Sequence, residues 1–352
     1  MNFAKKPVCF WGLFFLIFLI FFLLFFLILA RLKILLAFRD NFGTHFLLLV
    51  AAIIWGTTWA AGRFLSFGLG NENNASLEPA TSAWLRYAFA TCAFFALFMI
   101  RKGSGGFRFF PGDIESWKFS IWLGIFGTMC YQLFFMHGMK WTAAGDASLI
   151  VSLNPVFTVL LASPILGQNV SARMALGLLV GISGVFVVVG WSPNSEIPFD
   201  HRLVGDLFIL FAAVCWAATN NLTKLLLSLE KGVSPLEIVV WYSVIGWVML
   251  TPWMIFEILE SGFPDPKISE WATVAYLGIV STVIAYVLFA KGIEVIGPTA
   301  ASSYIFLVPV FGVLGGWYIL QEDIGISLLV GFALIVFGVR AVQSESERLS
   351  PG

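Results

Sequence analysis

A single arginine, Arg86, stands about two turns inside an apolar stretch that runs over roughly 80–100. A guanidinium costs about 2.5–3.5 kcal/mol at the centre of a membrane helix, and less towards the surface. That cost calls for compensation. An anionic ligand such as a carboxylate would supply it, as would a fixed ion pair with Asp146, or snorkelling of the long side chain to the headgroups. Other apolar stretches carry groups able to stack on or hydrogen-bond a small polar solute. Trp55, Thr58 and Trp59 form one set, and Trp216, Thr219, Asn220 and Asn221 a second. Tyr131, Gln132, Tyr286 and Tyr304 are of the same chemical type, and Tyr242 occupies the position that corresponds to Arg86 in a second copy of the chain described below. The plainer reading of these groups is interhelical hydrogen bonding, worth about 0.6 kcal/mol per contact.

Two prolines, Pro155 and Pro309, fall at matching places in apolar stretches. A proline inside a helix leaves the carbonyl one turn back without its donor, and lipid cannot replace it. Paired breaks of this kind favour backbone that lines a polar site, while a packing kink is the alternative. Asn154 precedes the first proline and Val308 the second, so Asn154 is a candidate either for solute contact or for bridging the kink.

Other chemistry is poorly supported. His45, His137 and His201 are scattered near helix ends or in a loop, and they form neither a zinc pattern nor a nucleophile–base pair. Cys9, Cys92, Cys130 and Cys215 sit singly in apolar runs, as packing residues do. No Walker-type loop is present, and a net charge of zero gives no case for nucleic acid. Neither a metal nor a cofactor is expected.

The positioning elements follow from composition. Hydrophobic residues make up 59% of the chain, charged residues only 11%, and mean hydropathy is +0.92. Soluble domains carry about a quarter charged residues, so apolar runs of this length mean transmembrane helices. A β-barrel would need alternating segments instead. The stretch 122–190 recurs without a gap at 276–344: Leu123-Gly124-Ile125 meets Leu277-Gly278-Ile279, Thr128 meets Thr282, and Pro155-Val156-Phe157 meets Pro309-Val310-Phe311. Upstream, Trp55, Thr58 and Arg63 are spaced as Trp216, Thr219 and Lys224. This is an internal duplication.

Ten spans are expected, near 45–65, 80–100, 119–138, 143–166 and 172–191 in the first copy, and near 205–227, 236–257, 271–292, 297–319 and 324–342 in the second. The copies are bounded at about 45–191 and 205–342, after an N-terminal apolar segment within 1–44. An odd number of spans makes the second copy enter from the opposite face, an inverted repeat. Charge placement agrees: with the residues before the first span inside, most Lys and Arg fall inside, and the outer loops hold Glu72, Glu78, Glu196, Asp200, Glu257, Glu260, Asp265 and Glu270. The C-terminus is then cytoplasmic. The run 8–30 reads best as an extra membrane helix, ahead of a signal-like segment or a start-site artefact. Gly177-x-x-x-Gly181 and Gly312-x-x-x-Gly316 permit close helix packing, and would also permit a homodimer.

Two five-helix copies, Trp55-Gly56-Thr57-Thr58 in the first helix and Arg86 near the start of the second together resemble the EamA family of the drug/metabolite transporter superfamily. Trp141–Ile150 followed by Asn154-Pro155-Val156-Phe157 is similar to that family's third-to-fourth helix junction, and Gly297–Ser302 followed by Val308-Pro309-Val310-Phe311 is its partner. Gln321-Glu322 resembles the short acidic turn after the ninth helix. The resemblance spans His45 to Val342, with the 8–30 run as a departure. It implies an all-α polytopic carrier in a bacterial inner membrane, often an exporter of amino acids or related metabolites.

The reading is therefore a secondary transporter with a small-molecule substrate and the lipid bilayer as partners, and no enzymatic role. Rivals are a flippase for a lipid-linked sugar, a membrane enzyme, and a scaffold subunit without a pathway of its own. The short loops leave no room for a soluble catalytic domain.

Overall fold

The computed structural model describes residues 41–68, 75–101, 108–166, 171–229, 233–296, 301 and 303–349. The expected helix over 8–30 lies outside them. All regular structure among the described residues is helical. In chain order the helices are α1 (Asn41–Phe67), α2 (Pro79–Arg101), α3 (Ile114–Gly124), α4 (Tyr131–Trp141), α5 (Ala144–Val151), α6 (Asn154–Leu166), α7 (Ala172–Gly190), α8 (Phe199–Leu229), α9 (Pro235–Ser261), α10 (Ile268–Ala275), α11 (Ala285–Ile296), α12 (Val308–Leu320) and α13 (Ile326–Leu349). A π-helical segment, Ile125–Cys130, joins α3 to α4, and a second, Tyr276–Ile284, joins α10 to α11.

Among the described residues, nine helical stretches are long and apolar enough to cross a membrane. Nine of the ten expected spans match them. The tenth, near 297–319, differs: Tyr304–Leu320 is apolar but shorter, made of a 3-10 turn (Ser303–Leu307) and then α12. Pro309 stands in the first turn of α12, where its missing N–H is no loss and its ring bars an α-helical run from continuing through it. Pro155 likewise sits in the first turn of α6 rather than mid-helix, with Ser152 and Leu153 between α5 and α6. There the chain tightens: the Ser152 and Leu153 amides donate three residues back, to the Leu149 and Ile150 carbonyls (3.0 and 3.1 Å).

The two π-helical segments fall at matching positions in the repeat, Ile125–Cys130 aligning with Ile279–Ile284. A π turn is rare and concentrates at functional sites. Gly278 lets the second segment press on α2, since a Cβ there would lie 2.5 Å from the Arg86 carbonyl oxygen.

The glycine pairs work within the bundle. Gly177 and Gly184 of α7 face Gly338 and Gly331 of α13, and Gly312 of α12 faces Ser148 of α5. These faces are therefore occupied internally, and a homodimer would need other surfaces.

At one end of the bundle, carboxylates of the second copy accept hydrogen bonds from backbone amides of the first. Glu257 of α9 accepts from Ala80 N (2.8 Å), Thr81 N (2.7 Å) and the Thr81 hydroxyl (2.9 Å). Glu270 accepts from Ser76 N (2.7 Å), and Glu322 from Ala144 N (2.7 Å) and Gly145 N (2.9 Å). Each carboxylate meets orphan amides at or just before the start of a helix, where the dipole favours an anion. Glu257→Ala is expected to destabilise the protein by about 0.5–2 kcal/mol, the worth of an N-cap. The thermal midpoint in detergent reads this, and exposed Glu260→Ala on the same helix should leave it unchanged.

Candidate functional site

Arg86 is 7% exposed. Its Nε and one terminal nitrogen donate to the Thr282 hydroxyl oxygen at 3.3 Å, and the other terminal nitrogen to Gln132 Oε1 at 3.4 Å. Both acceptors are oriented for the task. Thr282 donates its own proton to the Leu277 carbonyl (2.8 Å) five residues back, so its lone pairs face the guanidinium. Gln132 Nε2 donates to the Tyr87 hydroxyl (3.5 Å), which turns its carbonyl oxygen to Arg86. The Tyr87 and Phe135 rings stand 5.8 and 5.9 Å from the guanidinium carbon.

Every one of these partners is neutral. No ion pair among the described residues includes Arg86, and its hydrogen bonds are long for charge-assisted ones. The expected alternative of a fixed pair with Asp146 is not what the fold builds, because Asp146 lies with Asp206 and Arg202.

Beside Arg86 runs an arc of four half-buried rings. Tyr131 of α4 meets Trp216 of α8 (5.4 Å between centroids), Trp216 meets Tyr286 of α11 (6.3 Å), and Tyr286 meets Trp55 of α1 edge-on (5.4 Å). Such edge-on and tilted pairs are favourable arrangements of aromatic rings. The Trp55 indole N–H donates to the Ser281 carbonyl (3.2 Å) in the second π-helical segment, and the Thr58 hydroxyl bonds that of Ser281. Tyr242 is buried at 3% exposure. The Thr128 hydroxyl of the first π-helical segment donates to the Tyr242 carbonyl at 3.1 Å. Positions matched between the copies thus converge: Trp55 with Trp216, Arg86 with Tyr242, Thr128 with Thr282, and Gln132 with Tyr286.

Other candidates lie elsewhere. Trp59 is 4% exposed and packs edge-on against Phe135 (5.2 Å), one layer behind the arc. Tyr304 bonds His45 Nδ1 (2.7 Å) near the start of α1. Asn154, Asn220 and Asn221 form a separate knot between α6 and α8. Asn220 Nδ2 donates to Asn154 Oδ1 (3.1 Å), Asn154 Nδ2 to the Ala213 carbonyl (3.0 Å), and Asn221 Nδ2 to the Thr158 carbonyl (2.8 Å). Those contacts are interhelical bridges beside the Pro155 break. The cysteines Cys92, Cys130 and Cys215 are free thiols.

Thr282, Ser281, Tyr87 and Phe135 were not among the candidates. Thr282 had a visible signal, its registration with Thr128 inside the repeat. Ser281 had none, being a small residue in an apolar run. At the bundle end, burial pushes the Glu322 carboxyl above the usual carboxylate range, opposed by the Gly145 and Ala144 amides and by Arg63.

The profile of the EamA-like transporter family matches the chain twice, over residues 43–190 and 203–342. The chain belongs to the EamA-like transporter family. This EamA-like protein is 26% identical over 274 residues to an uncharacterized transporter, YyaM, of Bacillus subtilis, an alignment covering 78% of this chain and 87% of that one. It is 28% identical over 234 residues to a probable terminal-alkyne amino-acid exporter of Streptantibioticus cattleyicolor, covering 65% of this chain and 75% of the exporter. A solved crystal structure superposes with a TM-score of 0.57 at 20% identity, over 88% of this chain and 100% of its own, a likeness of fold alone.

Proposed function

We propose that this EamA-like protein is a secondary carrier that exports a small polar, carboxylate-bearing metabolite from the cell by alternating access. Two inverted five-span copies rock about a site at Arg86, in the inner membrane, with the C-terminus cytoplasmic. The observation that carries this reading is Arg86 itself: a guanidinium buried among neutral partners, beside an arc of rings drawn from both copies. A buried charge without a counter-charge is costly, and a substrate carboxylate supplies the missing one with two parallel hydrogen bonds. The rings hold the apolar or cationic remainder of the solute. Kinship with a probable amino-acid exporter supports the same class of solute.

The test pairs amino acids and related carboxylic acids with their amides and decarboxylated amines. Acids that bind should raise the thermal midpoint of purified protein, by about 2.7 kcal/mol of added stability at a hundredfold excess over Kd. Matched amides should do far less. Counterflow of the active acids in proteoliposomes then reads transport. Equal stabilisation by acids and amides removes the carboxylate from the proposal. Binding without any counterflow favours a non-transporting subunit.

A further inference from the structure

A cluster of buried charges outside the Arg86 site lies where α5 begins against α8 and the α12–α13 link. Asp146, in the first turn of α5, is fully buried, while Asp206 and Arg202 of α8 are 3% and 5% exposed. Neither Asp146 oxygen receives a well-formed hydrogen bond, the Ser192 hydroxyl making only a weak contact. Asp206 accepts the Thr142 hydroxyl on one oxygen and leaves the other without a partner.

The surrounding charges can be counted. Glu322 occupies the Ala144 and Gly145 amides that open α5, so those donors are not free to stabilise Asp146. Arg63 of α1 acts on Glu322, and it donates to the Met139 and Lys140 carbonyls (both 2.8 Å). Arg202 donates to the Asn194 and Val189 carbonyls (3.3 and 3.1 Å), and forms no ion pair with either aspartate. Helix α12 brings no charged side chain. On α7 the one charged residue is Arg173, paired with Glu345 of α13 at the opposite end. Lys140 engages Glu78 (3.2 Å), His201 is exposed against the Trp141 ring, and the Asp323 side chain is exposed. With Arg63 set against Glu322, two buried aspartates share the single guanidinium of Arg202.

One negative charge is therefore left over in a region closed to water. A carboxylate buried without a partner takes up a proton rather than persist as an anion, and two carboxylates sharing a site hold one between them. We propose that Asp146, together with Asp206, binds one exchangeable proton at the junction of the two copies. No trio of His, Cys, Asp or Glu side chains among the described residues converges to hold a metal. Asp146 belongs to the first copy and Asp206 to the second, with Arg202 one turn earlier on the same helix α8. Any movement that parts the copies here separates the aspartates, admits water and releases the proton, so occupancy follows conformation. That last step rests on the carrier reading above, whereas the proton itself does not.

The sign of the pH dependence follows from linkage. A closed junction that binds one more proton than the open one loses stability as pH rises. Two measurements on the full-length protein test the proposal without any solute. Infrared difference spectra taken across a pH titration should show the carbonyl band of a protonated, buried carboxylic acid. Asp146→Asn should abolish that band. Asp206→Asn should move the loss of the band to lower pH, because the like charge that opposes ionisation of Asp146 is gone, whereas Arg202→Gln should hold the band to higher pH. Hydrogen exchange across Ala144–Val151, corrected for intrinsic rates, should quicken towards alkaline pH in the wild type and in Glu322→Gln, but not in Asp146→Asn. A band that survives in Asp146→Asn, or whose loss on raising the pH is unmoved by Asp206→Asn, overturns the assignment. Loss of the band when sodium replaces choline overturns the choice of a proton.

Discussion

Arg86→Gln is expected to weaken carboxylate binding by about 2–5 kcal/mol, some thirtyfold to several-thousandfold, and to stop export at solute levels that saturate the wild type. The loss is large because Thr282 and Gln132 are neutral and cannot hold an anion without Arg86. The same substitution should leave folding intact or raise the thermal midpoint, since it removes a buried charge that no protein group balances. Opposite movement of binding and stability separates a ligand-binding arginine from a structural one. A structural Arg86 would lower the midpoint on removal and leave affinity unaltered. Unchanged affinity and export would take Arg86 out of the site.

Gly338→Ala should be among the most destabilising single-methyl changes in the bundle. A Cβ there would stand 2.4 Å from the Gly181 amide nitrogen, 2.5 Å from the Gly177 carbonyl oxygen and 2.7 Å from the Gly181 Cα, all backbone atoms that cannot swing aside. Helices α7 and α13 must then move apart along a seam that glycine holds close. Overpacking of this kind costs about 1–3 kcal/mol, or more where nothing yields. Gly190→Ala is the matched control. Nothing lies within 4 Å of a Cβ at that position, and its effect should stay within about 0.5 kcal/mol. Thermal midpoints of the two variants, measured side by side in detergent, read the contrast. Equal midpoints would mean that the seam can relax.

Composition and periodicity alone determined that the chain is helical and lies in a membrane, because an apolar run of about twenty residues can satisfy its backbone in lipid only as a helix. The repeat was equally plain, since Gly124, Thr128 and Pro155 recurring in register at Gly278, Thr282 and Pro309 do not arise from apolar composition. Which polar residues meet was decided only by tertiary structure. Trp55, Tyr131, Trp216 and Tyr286 come from four different helices, and their convergence depends on helix rotation and on the two π-helical segments, which shift side-chain phase in a way no linear pattern records. The same applies to Asp146. In the sequence it is a possible partner for Arg86 and no more, and only the approach of α8 and the Glu322 link, which closes water out and sets two aspartates against one arginine, makes it costly to ionise. A residue's type states what it could do, while the dielectric and the charges around it, set by distant parts of the chain, decide whether it must.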